Sequence, residues 1–423
     1  MKGPPLQELI PGGGLFPCYY DLSIERTRGM SILSSLSEKH DPSRDLPSIR
    51  PRRNRRRNWI FCIVMGLLCI ALYLAPTPFP ERVPANATRE KVRILSVDNS
   101  QLMPLGIVYS GAQEAEIEVL SGPLKGAALA AVNHLNASLD KDKLFAPGDT
   151  ALCIVHAENG KATYATLIDH YRMETQGFLF LLFFLFLILF GGVSGFGTFV
   201  SLAASILVIW KVLIPLLLLG WPPIVSTFLV VVLLSAIIMY LVGGLTRMAT
   251  VSLLGSLLGT ALTCILAVAF GNALKLDGGD MPYVVPLLSQ AGLRLDIKDL
   301  FFSMVFLASS GALMDLAMDM SAAVHEVLLH HPDITRAELI KSGFRVGRSV
   351  TGTMTTTLML AYSGSFLSML MYFMGQGTPV IDLINYKFVA TEILNTLVGT
   401  FGLVTVAPFT VIAAGFLYVR PKR

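Results

Sequence analysis

Long apolar runs joined by short polar connections dominate the chain. Eight of them approach or reach the roughly 17–25 residues that a helix needs to cross hydrocarbon, the second being short: 59–75, 178–193, 198–219, 224–243, 250–271, 300–324, 350–374 and 397–418. Between the first and second the pattern changes. Short alternating or β-branched runs at 91–97, 106–110, 115–120, 128–134, 150–156 and 163–169 are separated by Gly, Pro, Asn and Asp, as in a small β-barrel or sandwich. The expected fold is an α-helical polytopic membrane protein of about eight transmembrane helices, with a small extracytoplasmic β-rich domain between helices 1 and 2. Its expected parts are a basic cytoplasmic tail (1–58) too polar to fold, an anchor helix (59–75), the β-rich domain (76–177) and a seven-helix membrane domain (178–423).

Composition agrees with this class: 53% of the residues are hydrophobic and only 15% charged. The net charge of +4 needs no nucleic-acid partner, because topology accounts for it. Arg52, Arg53, Arg55, Arg56 and Arg57, then Arg247, Lys341, Arg345 and Arg348, and finally Arg420, Lys422 and Arg423 all fall on one side of eight spans. The positive-inside rule places that side, with both termini, in the cytoplasm. Lys275, Arg294 and Lys298 fall on the other side. The first apolar run reads as a retained anchor, because Tyr73-Leu74-Ala75 puts bulky residues where signal cleavage wants small ones. The break Gly191-Gly192-Val193-Ser194-Gly195-Phe196-Gly197 fits either a tight hairpin or an unwound section. Five cysteines scattered over tail, spans and β-rich part make no disulfide framework.

Two aspartates stand inside the sixth apolar run, FFSMVFLASSGALMDLAMDMSAAV. A carboxylate at mid-membrane depth costs about 2.5–3.5 kcal/mol on insertion scales, so it marks a functional position. Asp315 and Asp319, four apart, share one helix face. At 1.5 Å per residue Asp319 lies about 8 Å from the cytoplasmic end of the run and Asp315 about 14 Å. Asp315 is the deeper group, too far in to reach the interface easily.

Membrane hydrolysis fails on spacing. His325-Glu326 followed by His330 is one residue too long for the zinc motif, which needs its second histidine where Leu329 stands. An aspartyl dyad needs carboxylates from different helices, and these two share one. No enzyme activity, metal or cofactor is expected.

The seventh run begins GRSVTGTMTTTLMLAYSGS. A connection of about 25 residues (325–349) would make it antiparallel to the sixth, with Asp319 level with Thr353 and Asp315 level with Thr357. Thr351 and Thr355 share one face, and Thr353 and Thr357 another. Two readings compete: a polar seam facing the aspartates, or hydroxyls that bond only to their own helix carbonyls. Arg348, at the mouth of this run, pairs with Asp319 or Glu326 or anchors the inner face.

The run Gly311-Ala312-Leu313-Met314-Asp315-Leu316-Ala317-Met318-Asp319, with Gly347-Arg348, Gly352-Thr353-Met354-Thr355 and Thr357-Leu358 through Ala361-Tyr362, resembles the YibE/F-like family of bacterial multipass membrane proteins. The resemblance covers roughly residues 88–420. In that family the seventh-span motif reads like GRDxxGTMxNTLxLAY. Here Ser349 replaces the usual Asp, Thr356 the usual Asn, and Asn395, after Glu392-Ile393-Leu394, stands where Arg is expected. If the missing carboxylate and cation pair in the family, this chain has neutral groups in their place.

The resemblance implies a permease-like protein of the bacterial cytoplasmic membrane. The residues then suggest an ion- or proton-coupled secondary transporter of an unknown small solute. Asp315 and Asp319 would bind the ion or proton, Thr353, Thr355, Thr356, Thr357, Tyr362 and Arg348 would line the path, and Glu392 and Asn395 would be polar groups near its outer side. The rival is a non-transporting scaffold or receptor presenting the β-rich domain to envelope partners. Expected partners are the lipid bilayer, a small solute or ion, envelope proteins or further copies of the chain.

Overall fold

The computed structural model describes residues 52–79, 87–158, 161–289 and 295–419. The tail up to residue 51, Arg294 and the C-terminal basic residues lie outside them. Helix α1 (Arg52–Leu74) starts within the segment expected to be unstructured. Arginine is a good helix former, so the basic stretch continues the apolar helix by two turns.

Six strands follow: β1 (Ala87–Asp98), β2 (Leu102–Leu105), β3 (Val108–Val119), β4 (Ala128–Asn136), β5 (Thr150–Glu158) and β6 (Lys161–His170). β1 pairs antiparallel with both β3 and β5, β3 with β4, and β5 with β6, and a short parallel pairing of β4 with β6 completes the ring. β2 folds back onto the start of β3. The result is a closed five-stranded Greek-key barrel of the OB type, which leaves its main strands without open edges. Alternation builds its core. Along β3, Ala115, Ile117 and Val119 point inward while Glu114, Glu116 and Glu118 point out, and Val92, Ile94, Cys153, Val155 and Leu167 meet them from the other strands.

Two of the expected β runs, 106–110 and 115–120, are one strand, β3, and β2 was not anticipated. Gly111 allows the crossing, since its φ is 124° and a Cβ there would lie 2.3 Å from the Gln101 carbonyl oxygen.

The helical part begins with α2 (Met173–Val208), which breaks at Gly192 (φ 52°, ψ −122°). The ring of Phe199 packs against Phe184 at 4.2 Å and Phe180 at 6.0 Å between centroids. Residues 12 before and 7 after the break therefore touch, and the glycine segment is a tight hairpin between two antiparallel limbs. The second limb continues through a π-helical turn (Ile209–Leu213) and α3 (Ile214–Leu218). Next come α4 (Pro223–Val242), α5 (Arg247–Ala273), the short α6 (Val284–Leu288), α7 (Ile297–His330), α8 (Arg336–Ser365), α9 (Leu367–Gly375), α10 (Val380–Asn385) and α11 (Lys387–Tyr418). Among the described residues seven helices are long and apolar enough to cross a membrane, or eight when α8 and α9, bent by 61°, count as one span.

α5, α7 and α11 form the centre. Small residues let their backbones approach: a Cβ on Gly255 would meet Thr410 Oγ1 at 2.0 Å, one on Gly259 would meet Val406 Cγ2 at 2.1 Å, and one on Gly402 would meet Thr263 Oγ1 at 2.1 Å. The Gly255/Gly259 pair thus packs within the chain, as small-xxx-small pairs do in membranes.

Two expectations about this region change. α7 and α8 run through the anticipated 25-residue connection, leaving only residues 331–335 between them, where Thr335 and Glu338 form a capping box. Gly343 then sits against Val324 and Gly347 against Met320. This puts Asp319 level with Arg348 and Asp315 level with about Gly352–Thr353, one turn earlier on α8 than the sequence count gave. Further on, α10 is a separate short helix. The chain turns at Tyr386, and residues 387–396 begin the last span.

Candidate functional site

α7 is packed by α4, α5, α8 and α11, and most of its surface is buried. Phe302, Phe306, Leu313, Leu316, Ala317 and Met320 are fully enclosed. Between residues 301 and 328, among the described residues, one stripe is left uncovered: Met304, Ala308, Gly311, Asp315, Asp319, Ala322 and Glu326. Their spacing of three and four residues keeps them on a single helix face. The two aspartates therefore share a face, as their spacing required. A Cβ on Gly311 would touch nothing within 4 Å, and the same holds for Gly352 on α8.

The threonines of α8 divide between two surfaces. Thr351 and Thr355, with Arg348, Gly352, Val404 and Pro408, line a cavity of about 400 Å³ between α8 and α11. Thr355 Oγ1 is buried there with no hydrogen-bond partner. Thr353, Thr356 and Thr357 are more exposed and donate to their own helix, to the carbonyls of Val350, Gly352 and Thr353 at 3.0, 3.2 and 3.0 Å. Among the described residues none of these hydroxyls bonds to either aspartate. Arg348 makes no ion pair with Asp319 or Glu326 among them either, and Glu326 faces His330 at 3.5 Å.

A second polar group forms at the opposite end of α7. Asp280, Thr391, Glu392, Asn395 and Tyr362 line a cavity of about 370 Å³ together with Phe301, Met304, Ala308, Phe366 and Phe388. α11 supplies Thr391, Glu392 and Asn395 within its first turns. The loop after α5 supplies Asp280, and it is pinned on both sides. Asp277 forms an ion pair with Lys387 at the start of α11 and accepts the Gly279 amide at 2.9 Å, while Gly278 lies against Phe301. The lysine contact, then the amide, hold the Asp277 carboxyl below the ordinary carboxylate range. Tyr362 lies over Gly399 of α11, and Ser309 of α7 approaches the same glycine. Glu392, Asn395 and Tyr362 are thus brought together, far along the bundle from Arg348. Asp280 and Thr391 were not foreseen. Three polar residues, Thr391, Glu392 and Asn395, inside an otherwise apolar run were the available signal for the second.

The two regions connect. Met304 and Ala308 belong both to the cavity wall and to the uncovered stripe, and Asp315 follows Ala308 two turns along the same face, about 10.5 Å away. His325 packs on Tyr418 with ring centroids 5.4 Å apart, whereas His330 bonds its own helix at the Glu326 carbonyl. The two histidines face different surroundings. Among the described residues no three His, Cys, Asp or Glu side chains are grouped to hold a metal.

The family model for YibE/F-like proteins matches residues 179–420, from the first limb of α2 to the end of the described bundle. The chain belongs to the YibE/F-like family. The match takes in α7, α8 and α11 with both polar regions and leaves the barrel outside, short of the 88–420 expected from the sequence. No curated protein and no solved structure matches the chain. With its apolar helices, this membership makes the chain a membrane protein. The departures at Ser349 and Asn395 are not neighbours. Gly347 packs on Ala407 and Gly343 on Val411, so Ser349 is level with about residue 405 of α11, some 15 Å along the helix from Asn395. Loss of one ion pair does not account for both.

Proposed function

We propose that this YibE/F-like protein is a permease, an ion- or proton-coupled secondary transporter of a small solute. One observation carries the reading: among the described residues, the exposed positions along the middle of α7 form one stripe that begins at Met304 and Ala308 in the wall of the 370 Å³ cavity and continues through Gly311 to Asp315 and Asp319. Hydrocarbon gives a carboxylate no compensation, so groups kept there serve ions or protons. In this reading Asp315 carries the proton or cation and Asp319 gates it at the end bearing the 331–335 turn. Arg348 and the threonines of α8 border the path. Basic residues in the connections favour a cytoplasmic location for that end and for both termini, with the barrel outside the inner membrane.

Asp315→Asn tests the reading. Purified protein is placed in vesicles enclosing a pH-sensitive dye, and a potential is imposed. The variant is expected to elute like the parent and to lose proton- or cation-linked flux; full retention of flux would overturn the role of Asp315. A second reading, a scaffold that presents its outer domain to envelope proteins, is favoured by the barrel's separate, complete core. It expects Asp315→Asn to be harmless and deletion of residues 87–170 to abolish the cellular phenotype.

A further inference from the structure

Charge in the wall of the cavity beside Glu392 is one-sided: Asp280 and Glu392 both line it. Thr391 is only 7% exposed and lines the cavity, yet its Oγ1 has no hydrogen-bond partner. The enclosed Oδ1 atoms of Asp280 and Asn395 also lack one. All three can accept, and Glu392 adds a second carboxylate to the same wall. Among the described lining residues there is no lysine or arginine; nearby Lys387 is held by Asp277. Unpartnered polar atoms shut away from water are costly, and two carboxylates beside one cavity without a cation more so.

We infer that this cavity binds a small organic ammonium ion, a primary amine with an apolar body. An ammonium group brings a positive charge and three donors, which suits two carboxylates and the unpartnered oxygens beside them. A bare metal ion would leave most of the roughly 370 Å³ unfilled, whereas that volume falls within the range of small-molecule sites. Phe301, Phe366 and Phe388 also line the cavity; they suit an apolar body, and aromatic ring faces attract cations. Because the cavity opens onto the α7 stripe, the amine would be the cargo that enters by this end. That last step rests on the transport reading, whereas the binding site does not.

The test uses full-length protein in detergent micelles with 2-phenylethylamine as probe, and 2-phenylethanol, sodium chloride and potassium chloride as comparators. The amine is expected to raise the unfolding temperature saturably, and the neutral alcohol is not. In Glu392→Gln and Asp280→Asn the amine's Kd should rise on the order of 30-fold, as for loss of one partner in an enclosed charge pair. Equal stabilisation by the alcohol, saturation by sodium or potassium at lower concentration than the amine, or an unchanged Kd in both variants would each overturn the inference. Should Glu392→Gln fail to fold, Asp280→Asn, in a loop, carries the test. Amine binding retained in an Asp315→Asn protein that still transports would sink the transport mechanism and leave this site standing.

Discussion

Gln113 in the barrel and Thr391 in the helical bundle are both shut away from solvent, and only one of them has partners. Gln113 is fully buried and uses its whole amide. Its Nε2 donates to Asn99 Oδ1 at 2.8 Å and to the Phe145 carbonyl at 3.0 Å, and its Oε1 accepts from Asn133 Nδ2 at 3.0 Å and from the Phe145 amide at 3.1 Å. Asn133 donates once more, to the Lys143 carbonyl at 2.7 Å. The network ties the loop between β4 and β5 across the barrel end, with Asn133 Oδ1 its one unpartnered atom. In the bundle the helices are held by close backbone approach at Gly255, Gly259 and Gly402 instead. Polar atoms of Asp280, Thr355, Thr391, Asn395 and Thr396 are left over. A satisfied network specifies a fold, while enclosed polar groups that the fold does not use are free to serve something that enters.

The largest effect is expected where the network is cut. Gln113→Leu keeps the volume but strands both polar groups of the Phe145 backbone. Each enclosed unsatisfied group costs about 1–3 kcal/mol, so the barrel should lose about 3 kcal/mol. Hydrogen exchange on the full chain reads this by region: amides of β3, β4 and residues 137–149 should exchange faster while those of α5, α7 and α11 stay protected. Equal loosening of the bundle would show that the two regions do not fold as separately as their interiors suggest.

A smaller effect distinguishes the interiors by charge. Cys153 lies in the barrel core, and burial pushes its thiol from 9.0 up to about 12. An unfolded chain sheds this proton near pH 9 and the folded barrel keeps it to about pH 12. The associated stability is therefore complete below pH 9 and is lost progressively as pH rises through that window. Alkaline titration of barrel unfolding should show the decline, and Cys153→Ala should remove it. In the folded protein at pH 8 the thiol should resist iodoacetamide, since the thiolate is the nucleophile. Rapid alkylation would mean that the barrel opens more readily than its packing implies.

How much of this was legible in the chain follows from which signals are local. Apolar runs marked the spans, and i, i+4 spacing placed Asp315 and Asp319 on one face. β3 read as two pieces because an inward position is taken by Gln113, which breaks the alternation between Gly111 and Ala115. The polar ends of α7 and α8 extend well beyond their apolar runs, so helix continued where the pattern suggested a loop, and the count of levels slipped by a turn. The cavity beside Glu392 was hidden for another reason. Asp280 and Thr391 are brought together only by the Asp277–Lys387 pair and the packing of α11 on α5 and α7, and nothing near either residue announces the other.

The smallest predicted change is the most direct probe of the contrast. Thr391→Val replaces a hydroxyl by a methyl of the same shape, at a site where the hydroxyl has no partner. Removing an unsatisfied enclosed polar group should leave stability unchanged or raise it by up to about 1 kcal/mol. Thermal unfolding of the detergent-purified chain measures this, with amine affinity followed in the same samples. Neutral stability combined with weaker amine binding would assign the hydroxyl to a ligand. A loss of 1 kcal/mol or more would mean that Thr391 belongs to the fold after all, as Gln113 does, and the distinction between the two interiors would fail at the residue where it is sharpest.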